Sequence, residues 1–166
     1  MAPMTVFSHV LVPIDFGDAS NHALLLAVTM AKTFQAKLTL VHVCVTVPAG
    51  YTYAEGLSWP TYEMENLAKE EVDKLLASIR ESVPSAEAVI LGGEPWRRIL
   101  DVAKEREVDL IVMGTHGRTG LSHLLIGSVA EKITRHSPVP VLTVGTKDTR
   151  AAKERSLAEL ATIVNR

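Results

Sequence analysis

The sequence contains a single cysteine, Cys44, among 166 residues. One thiol cannot form an internal disulfide bond, so the fold does not depend on an oxidising compartment. Cys44 falls within the apolar segment 38–47, which favours a buried structural thiol over a reactive one. Aromatic residues are also scarce, at 5%, so aliphatic side chains must supply most of the core.

The sequence also lacks a large excess of charge of one sign and has no long hydrophobic run. The formal net charge is only -2, the pI is about 6.3, and no block of Lys or Arg occurs. The sequence therefore lacks the basic composition and clustered Lys and Arg that are typical of proteins that bind nucleic acids or membrane surfaces. The longest apolar stretch, residues 23–31, is too short to span a membrane. The first 15 residues lack the basic region of a signal peptide, so we expect a cytoplasmic protein.

Several catalytic and binding motifs do not occur. The P-loop G-x-x-x-x-G-K-[ST] and the dinucleotide motif G-x-G-x-x-G are absent, which argues against a standard NTPase or oxidoreductase. No G-x-S-x-G nucleophile elbow is present. The six histidines lack H-E-x-x-H or H-x-x-x-H spacing, which argues against zinc.

What the sequence does contain is an alternation of apolar strands and helices. Strands are predicted at 9–14, 37–45, 86–91, 108–113 and 139–144. Helices are predicted at 19–35, with Asp18 or Ser20 as its cap, at 61–83, from Glu94 onwards and at 129–136. Near-continuous apolar strands alternating with helices predict a doubly wound α/β fold, a parallel sheet with helices on both faces.

Two segments fall outside this alternation. Residues 46–60 form a long loop rich in tyrosine and proline, which is either packed down by its own aromatics or serves as a lid or partner surface. After Gly145, apolar residues at helical spacing predict a terminal amphipathic helix. We therefore expect a domain at 1–146 and a helical extension at 147–166.

The candidate site lies where the strands end. In open α/β sheets, ligands bind beyond the carboxyl ends of the strands, where the strand order reverses. Asp15 follows the first strand, and a glycine-rich segment follows the fourth, containing Gly114, His116, Gly117, Arg118, Gly127 and Ser128. Glycines allow close backbone approach, and a helix N-terminus attracts anions, so this segment predicts a phosphate site.

Structural explanations compete with this interpretation. Ser128 and Glu131 fit a capping box, which needs no ligand. Gly114 could end a strand, and Asp15 could cap a turn. His116 could approach a phosphate or simply lie in the loop.

The spacing Gly114-x2-Gly117-x9-Gly127-Ser128 resembles the G-x2-G-x9-G-[ST] signature of ATP-binding universal stress proteins. The resemblance covers roughly residues 7–145. It includes VLVPIDFG at 10–17, similar to ILVPIDFS, with Gly17 in place of serine. It also includes LVHV at 40–43, GGEP at 92–95 and SPVPVL at 137–142.

The resemblance implies a five-stranded parallel sheet of order 3-2-1-4-5 and an adenine-nucleotide site. By matched position, Pro13 and Asp15, with Ile14 between them, would line the adenosine side, and Val41 or a near neighbour would flank adenine. Met113, Gly114, Gly117, Gly127, Ser128 and Val129 would hold the ribose and phosphates, with His116 and Arg118 nearby. The ligand would be ATP, AMP or ADP, accompanied by Mg²⁺ or Mn²⁺. A homodimer would form through the last strand, between Val139 and Val144.

The expected function is an ATP-binding stress-response regulator or sensor with slow or no hydrolysis. The alternative is a nucleotide-independent interaction module of the same fold. A related adenine-nucleotide α-hydrolase would need a catalytic constellation that the sequence does not display. A response-regulator receiver would need a phosphoacceptor aspartate after the third strand, where Gly92, Gly93 and Glu94 stand instead.

Overall fold

A computed structural model describes residues 7–45, 61–115 and 126–145. The five strands are β1 His9–Pro13, β2 Lys37–Cys44, β3 Glu87–Gly92, β4 Leu110–Gly114 and β5 Val141–Val144. The four helices are α1 Asp18–Phe34, α2 Thr61–Arg80, α3 Pro95–Glu105 and α4 Ser128–His136. All strand pairs are parallel, in the order β3-β2-β1-β4-β5, which confirms the predicted α/β fold.

The sheet separates two apolar layers. Alternate residues of a strand face opposite sides of the sheet, so Val10 and Val12 pack towards α1 and α2, whereas Leu11 packs towards α3 and α4. Both layers are fully formed, since the side chains of all three residues are completely buried. The central strands β1 and β4 are therefore rigidly held, and their ends provide a firm base for a site.

Several predicted boundaries were wrong by one to three residues. Helix α2 ends at Arg80 rather than at residue 83, because the N–H groups of Ser82 and Val83 both turn back to the Ile79 carbonyl. Strand β5 begins at Val141 rather than at residue 139, because the Ser137 hydroxyl hydrogen-bonds the backbone of Val139.

A polar network that runs from the buried side chains of His9 and Thr39 to the partly exposed Glu87 and Arg106 closes the amino-terminal edge of the sheet, opposite the candidate site. The Nδ1 of His9 contacts the Arg106 carbonyl oxygen at 2.9 Å, and its Nε2 lies 2.7 Å from the Thr39 hydroxyl. The Thr39 hydroxyl also lies 2.9 Å from Glu87 Oε1, which pairs with Arg106. Burial lowers the pKa of His9, against opposing effects from Arg106 and Glu87. Burial therefore makes protonation of this imidazole less favourable in the folded chain than in the unfolded chain.

Within the described ranges, no helix is long and apolar enough to cross a membrane.

Candidate functional site

The strand order places a crevice between β1 and β4. The chain goes from β1 to β2 on one side and returns with β4 on the other side, so the connecting segments diverge above these two strands. Leu11 is paired with Ile111, which puts Pro13 and Met113 at the same level two residues further along. Asp15 and Thr115 follow them, so the two predicted segments meet at this edge.

The turn after β1 is held by its own polar groups. Asp15 Oδ1 accepts a hydrogen bond from the Gly17 N–H at 2.9 Å, and the Asp15 N–H donates to the Ser20 hydroxyl at 3.0 Å. The first of these bonds is an Asx turn, the structural role expected of a carboxylate after a strand. It engages one carboxylate oxygen of a half-buried residue, so it does not by itself prevent Asp15 from contacting a ligand.

Residue Phe16, within this turn, has a left-handed backbone with φ of 63°. An aromatic residue rarely adopts this conformation, which costs of the order of 1 kcal/mol and persists only where the surroundings impose it. The ring of Phe16 lies 5.3 Å from the His42 ring, and His42 Nδ1 lies 2.8 Å from the Ile14 carbonyl oxygen. Sequence reasoning did not single out His42, although it is part of the LVHV segment.

Gly114 is a glycine for a packing reason. A Cβ added at this position would lie 2.7 Å from the carbonyl carbon of Ala19 and 2.8 Å from its Cβ. The first turn of α1 thus lies directly against the end of β4. Of the two interpretations of Gly114, the structure supplies a complete reason for the structural one, and this residue alone is no evidence for a ligand.

The far end of the glycine-rich segment returns to the same point. The Gly127 N–H donates to the Thr115 carbonyl oxygen at 2.6 Å, and the Thr115 N–H donates to the Val144 carbonyl oxygen at 2.9 Å. The N-terminus of α4 therefore lies beside the end of β4. Thr115, which is half-buried, was missed by sequence reasoning even though it lies within the glycine-rich segment.

The predicted capping box does not form. Gly127 is the N-cap of α4 and accepts a hydrogen bond from the Glu131 N–H at 2.9 Å, which makes Ser128 the first helical residue. The Glu131 carboxylate pairs with Arg135 at 2.8 Å instead of reaching back to the helix start. The exposed Ser128 hydroxyl is consequently not used as a cap.

Helix α4 thus begins with amide groups that the helix itself cannot satisfy. The N–H groups of Ser128, Val129 and Ala130 have no intrahelical acceptor, and no side-chain cap is present in the part of the chain described. Helix α1 also begins with a glycine cap, Gly17, so Asp18 and Ser20 are not caps as predicted. The presence of Asp18 in the first turn of α1 makes that terminus less attractive to an anion than the start of α4.

Three of the predicted site residues are buried in the core. Ile14 is 4%, Val41 1% and Met113 4% exposed, so in this conformation their side chains lie in the core and not on the crevice surface. Pro13 and Val129 are half-buried at the crevice. The predicted residues His116, Gly117 and Arg118 lie outside the described residues.

Cys44 is less buried than the sequence predicted. The thiol is half-buried and lines a cleft of about 260 Å³ together with Glu65 and Lys69. Burial, and secondarily the charge of Glu65, raise the pKa of Cys44, so the thiol stays protonated. No group of three or more His, Cys, Asp or Glu side chains suited to a metal ion occurs in residues 7–45, 61–115 and 126–145.

The crevice and its strand order can be compared with known proteins. The universal stress protein family matches residues 7–145. The chain belongs to this family. A universal stress protein of Bacillus subtilis, YxiE, is 37% identical over 147 residues, covering 84% of this chain and 99% of the relative.

Solved structures of the family share the fold. The universal stress protein UspA from Lactobacillus plantarum has a TM-score of 0.70 at 28% identity. The match covers 82% of this chain and 97% of the UspA chain. An Archaeoglobus fulgidus universal stress protein solved in complex with dAMP has a TM-score of 0.59 at 24% identity, covering 85% of this chain and 99% of its own. At that identity the second likeness concerns the fold alone.

Proposed function

We propose that this universal stress protein binds an adenine nucleotide in the crevice between β1 and β4, with ATP as the first candidate. We further propose that it acts as a cytoplasmic stress-response regulator or sensor. The observation that carries the proposal is the hydrogen bond from Gly127 to Thr115, which brings the uncapped start of α4 to the end of β4. N–H groups that have no intrahelical acceptor and a helix dipole suit a phosphate group when they lie beside a ligand crevice.

The charges of the crevice orient the nucleotide. The phosphates belong at α4, where Ser128 supplies a hydroxyl and the helix supplies N–H donors. The ribose belongs beside Asp15, because a carboxylate accepts hydrogen bonds from sugar hydroxyls but repels phosphate. The adenosine side is completed by Pro13, Ile14, Val41 and Met113. The phosphate side is completed by Gly114, His116, Gly117, Arg118 and Val129.

A divalent cation, Mg²⁺ or Mn²⁺, fits this arrangement when it enters with the triphosphate. Mg²⁺ keeps several of its waters and is commonly held by one or two carboxylates together with substrate phosphates. The described residues offer no group of three or more His, Cys, Asp or Glu side chains there, so phosphate oxygens and water would supply most of the ligands. We assign no general base, so we propose binding with slow or no hydrolysis.

Equilibrium binding of ATP to nucleotide-free protein tests the proposal. Ser128→Ala should weaken binding about tenfold, because a hydrogen bond to a charged group contributes roughly 1.5 kcal/mol or more. Thr134→Ala is the matched control, since this hydroxyl lies on the same helix but bonds to the Ala130 carbonyl oxygen. Absence of wild-type binding at millimolar ATP with Mg²⁺ would refute the nucleotide site.

We also propose that the chain forms a homodimer through its last strand, between Val139 and Val144. Strand β5 is at the edge of the sheet, and Leu142 is 38% exposed there. An apolar side chain on an edge strand suits pairing with a second chain. Leu142→Glu should give a monomer in sedimentation velocity, and an unchanged dimer would place the interface elsewhere. The proposed helical extension, 147–166, lies outside the described residues.

A further inference from the structure

The turn between β1 and α1 is held from outside by a residue of the neighbouring strand. The Ile14 carbonyl oxygen can only accept, so His42 Nδ1–H is the donor in their 2.8 Å contact. The Ile14 N–H in turn donates to the Val41 carbonyl oxygen at 2.8 Å. Both polar backbone groups of Ile14 are therefore fixed by β2, one residue before Asp15.

His42 also supports the strained residue that follows. Its ring packs at 5.3 Å against Phe16, whose φ of 63° needs external support. Beyond Phe16, the Gly17 N–H closes the Asx turn on Asp15. Contacts with His42 thus lie on both sides of Asp15, and together with the Gly17 and Ser20 hydrogen bonds they fix the direction of the carboxylate.

We propose that His42 is a positioning residue for the nucleotide site: it fixes the turn at 14–17 and thereby aims the Asp15 carboxylate into the crevice. This inference rests on the proposed function for its effect on affinity, but the positioning itself concerns the ligand-free protein. His42 acts through Asp15 and need not touch the nucleotide.

Two substitutions separate the ring from the hydrogen bond. His42→Phe keeps an aromatic ring against Phe16 but removes the donor. His42→Asn keeps an N–H near the position of Nδ1. We expect His42→Phe to weaken ATP binding about three- to tenfold, the effect of one net hydrogen bond. His42→Asn should recover most of the loss, and in an Asp15→Ala background His42→Phe should add less than about twofold.

Amide hydrogen exchange without nucleotide supplies a second measurement. In His42→Phe, exchange at the amides of Asp15 and Gly17 should accelerate about three- to tenfold. The amide of Val108, bonded to the Ala103 carbonyl oxygen at 2.9 Å, is the control and should not change. Equal acceleration at Val108 would show general destabilisation and overturn the proposal.

The outcomes distinguish the two proposals. If the wild type binds ATP and His42→Phe binds it equally well, His42 is not a positioning residue and the nucleotide site stands. If the wild type binds no ATP, the proposed function fails, while exchange at Asp15 and Gly17 still decides whether His42 holds the turn. Unchanged exchange at both amides would overturn the positioning role under either outcome.

Discussion

Replacing Gly114 by alanine tests the packing of α1 against β4. The added methyl group would meet the Ala19 carbonyl carbon at 2.7 Å, its Cβ at 2.8 Å and its carbonyl oxygen at 2.9 Å. All three atoms belong to one helical residue, two of them to its backbone, so no flexible side chain can move aside. Helix α1 must shift as a unit, although its apolar face is buried against the sheet.

The magnitude follows from two opposing effects. Overpacking in a well-packed core costs about 1–3 kcal/mol, and backbone contacts belong at the upper end. Replacing glycine restricts the unfolded chain and returns about 0.4–1 kcal/mol. We therefore expect Gly114→Ala to lower the free energy of unfolding by about 2 kcal/mol.

Urea unfolding at equilibrium measures this change, with Gly145→Ala as the matched control. Among the described residues, a Cβ at Gly145 would meet only the Thr115 hydroxyl at 3.7 Å, which is an ordinary contact. Its effect should stay within about 0.5 kcal/mol. Ala19→Gly should rescue Gly114→Ala only in part, because the nearest atom is the carbonyl carbon of residue 19. Equal denaturant midpoints and slopes for Gly114→Ala and Gly145→Ala would refute the reasoning.

Other predictions concern the network at the opposite edge and the core. Because burial lowers the pKa of His9, the unfolded chain binds a proton more readily than the folded chain, and stability should fall as the pH drops below about 6.5. The midpoint of urea unfolding should show this dependence on pH in the wild type but not in His9→Gln. Burial alone would raise the pKa of Asp109, but hydrogen bonds from Ser8 and His9 lower it, so a second loss of stability should begin below about pH 3.8 and be smaller in Asp109→Asn. Ile133→Ala, at a fully buried position of α4, should cost about 2–5 kcal/mol in urea unfolding, whereas Thr134→Ala beside it should cost under about 1 kcal/mol.

The fold could be predicted from the sequence because its strands are apolar on both faces. Runs such as residues 110–113 are buried on both faces, which a half-exposed sheet does not allow, and their alternation with helices leaves few topologies. The strand order, by contrast, came from the family resemblance, since periodicity does not determine which strands are neighbours. The sheet order in the structure confirms it.

The details of the site could be predicted less well, since they depend on tertiary contacts. Gly114 and Gly127 look alike in the sequence, yet one is fixed by Ala19, a residue 95 positions away. The capping box at Ser128 was excluded only by the backbone of Gly127, which takes the cap position itself. His42 gave no signal of its own, because its bond to Ile14 joins residues 28 positions apart.

The close contact between Gly114 and Ala19 has a consequence for the history of the family. In this chain packing requires glycine at position 114 whether or not a nucleotide binds, whereas the exposed side chain of Ser128 has no comparable close contact among the described residues. A lineage that abandoned nucleotide binding should therefore keep glycine at position 114, and a small residue at position 19, long after position 128 had drifted. Substitutions in the signature would then accumulate first at its carboxyl end, and its first glycine would be retained for packing alone.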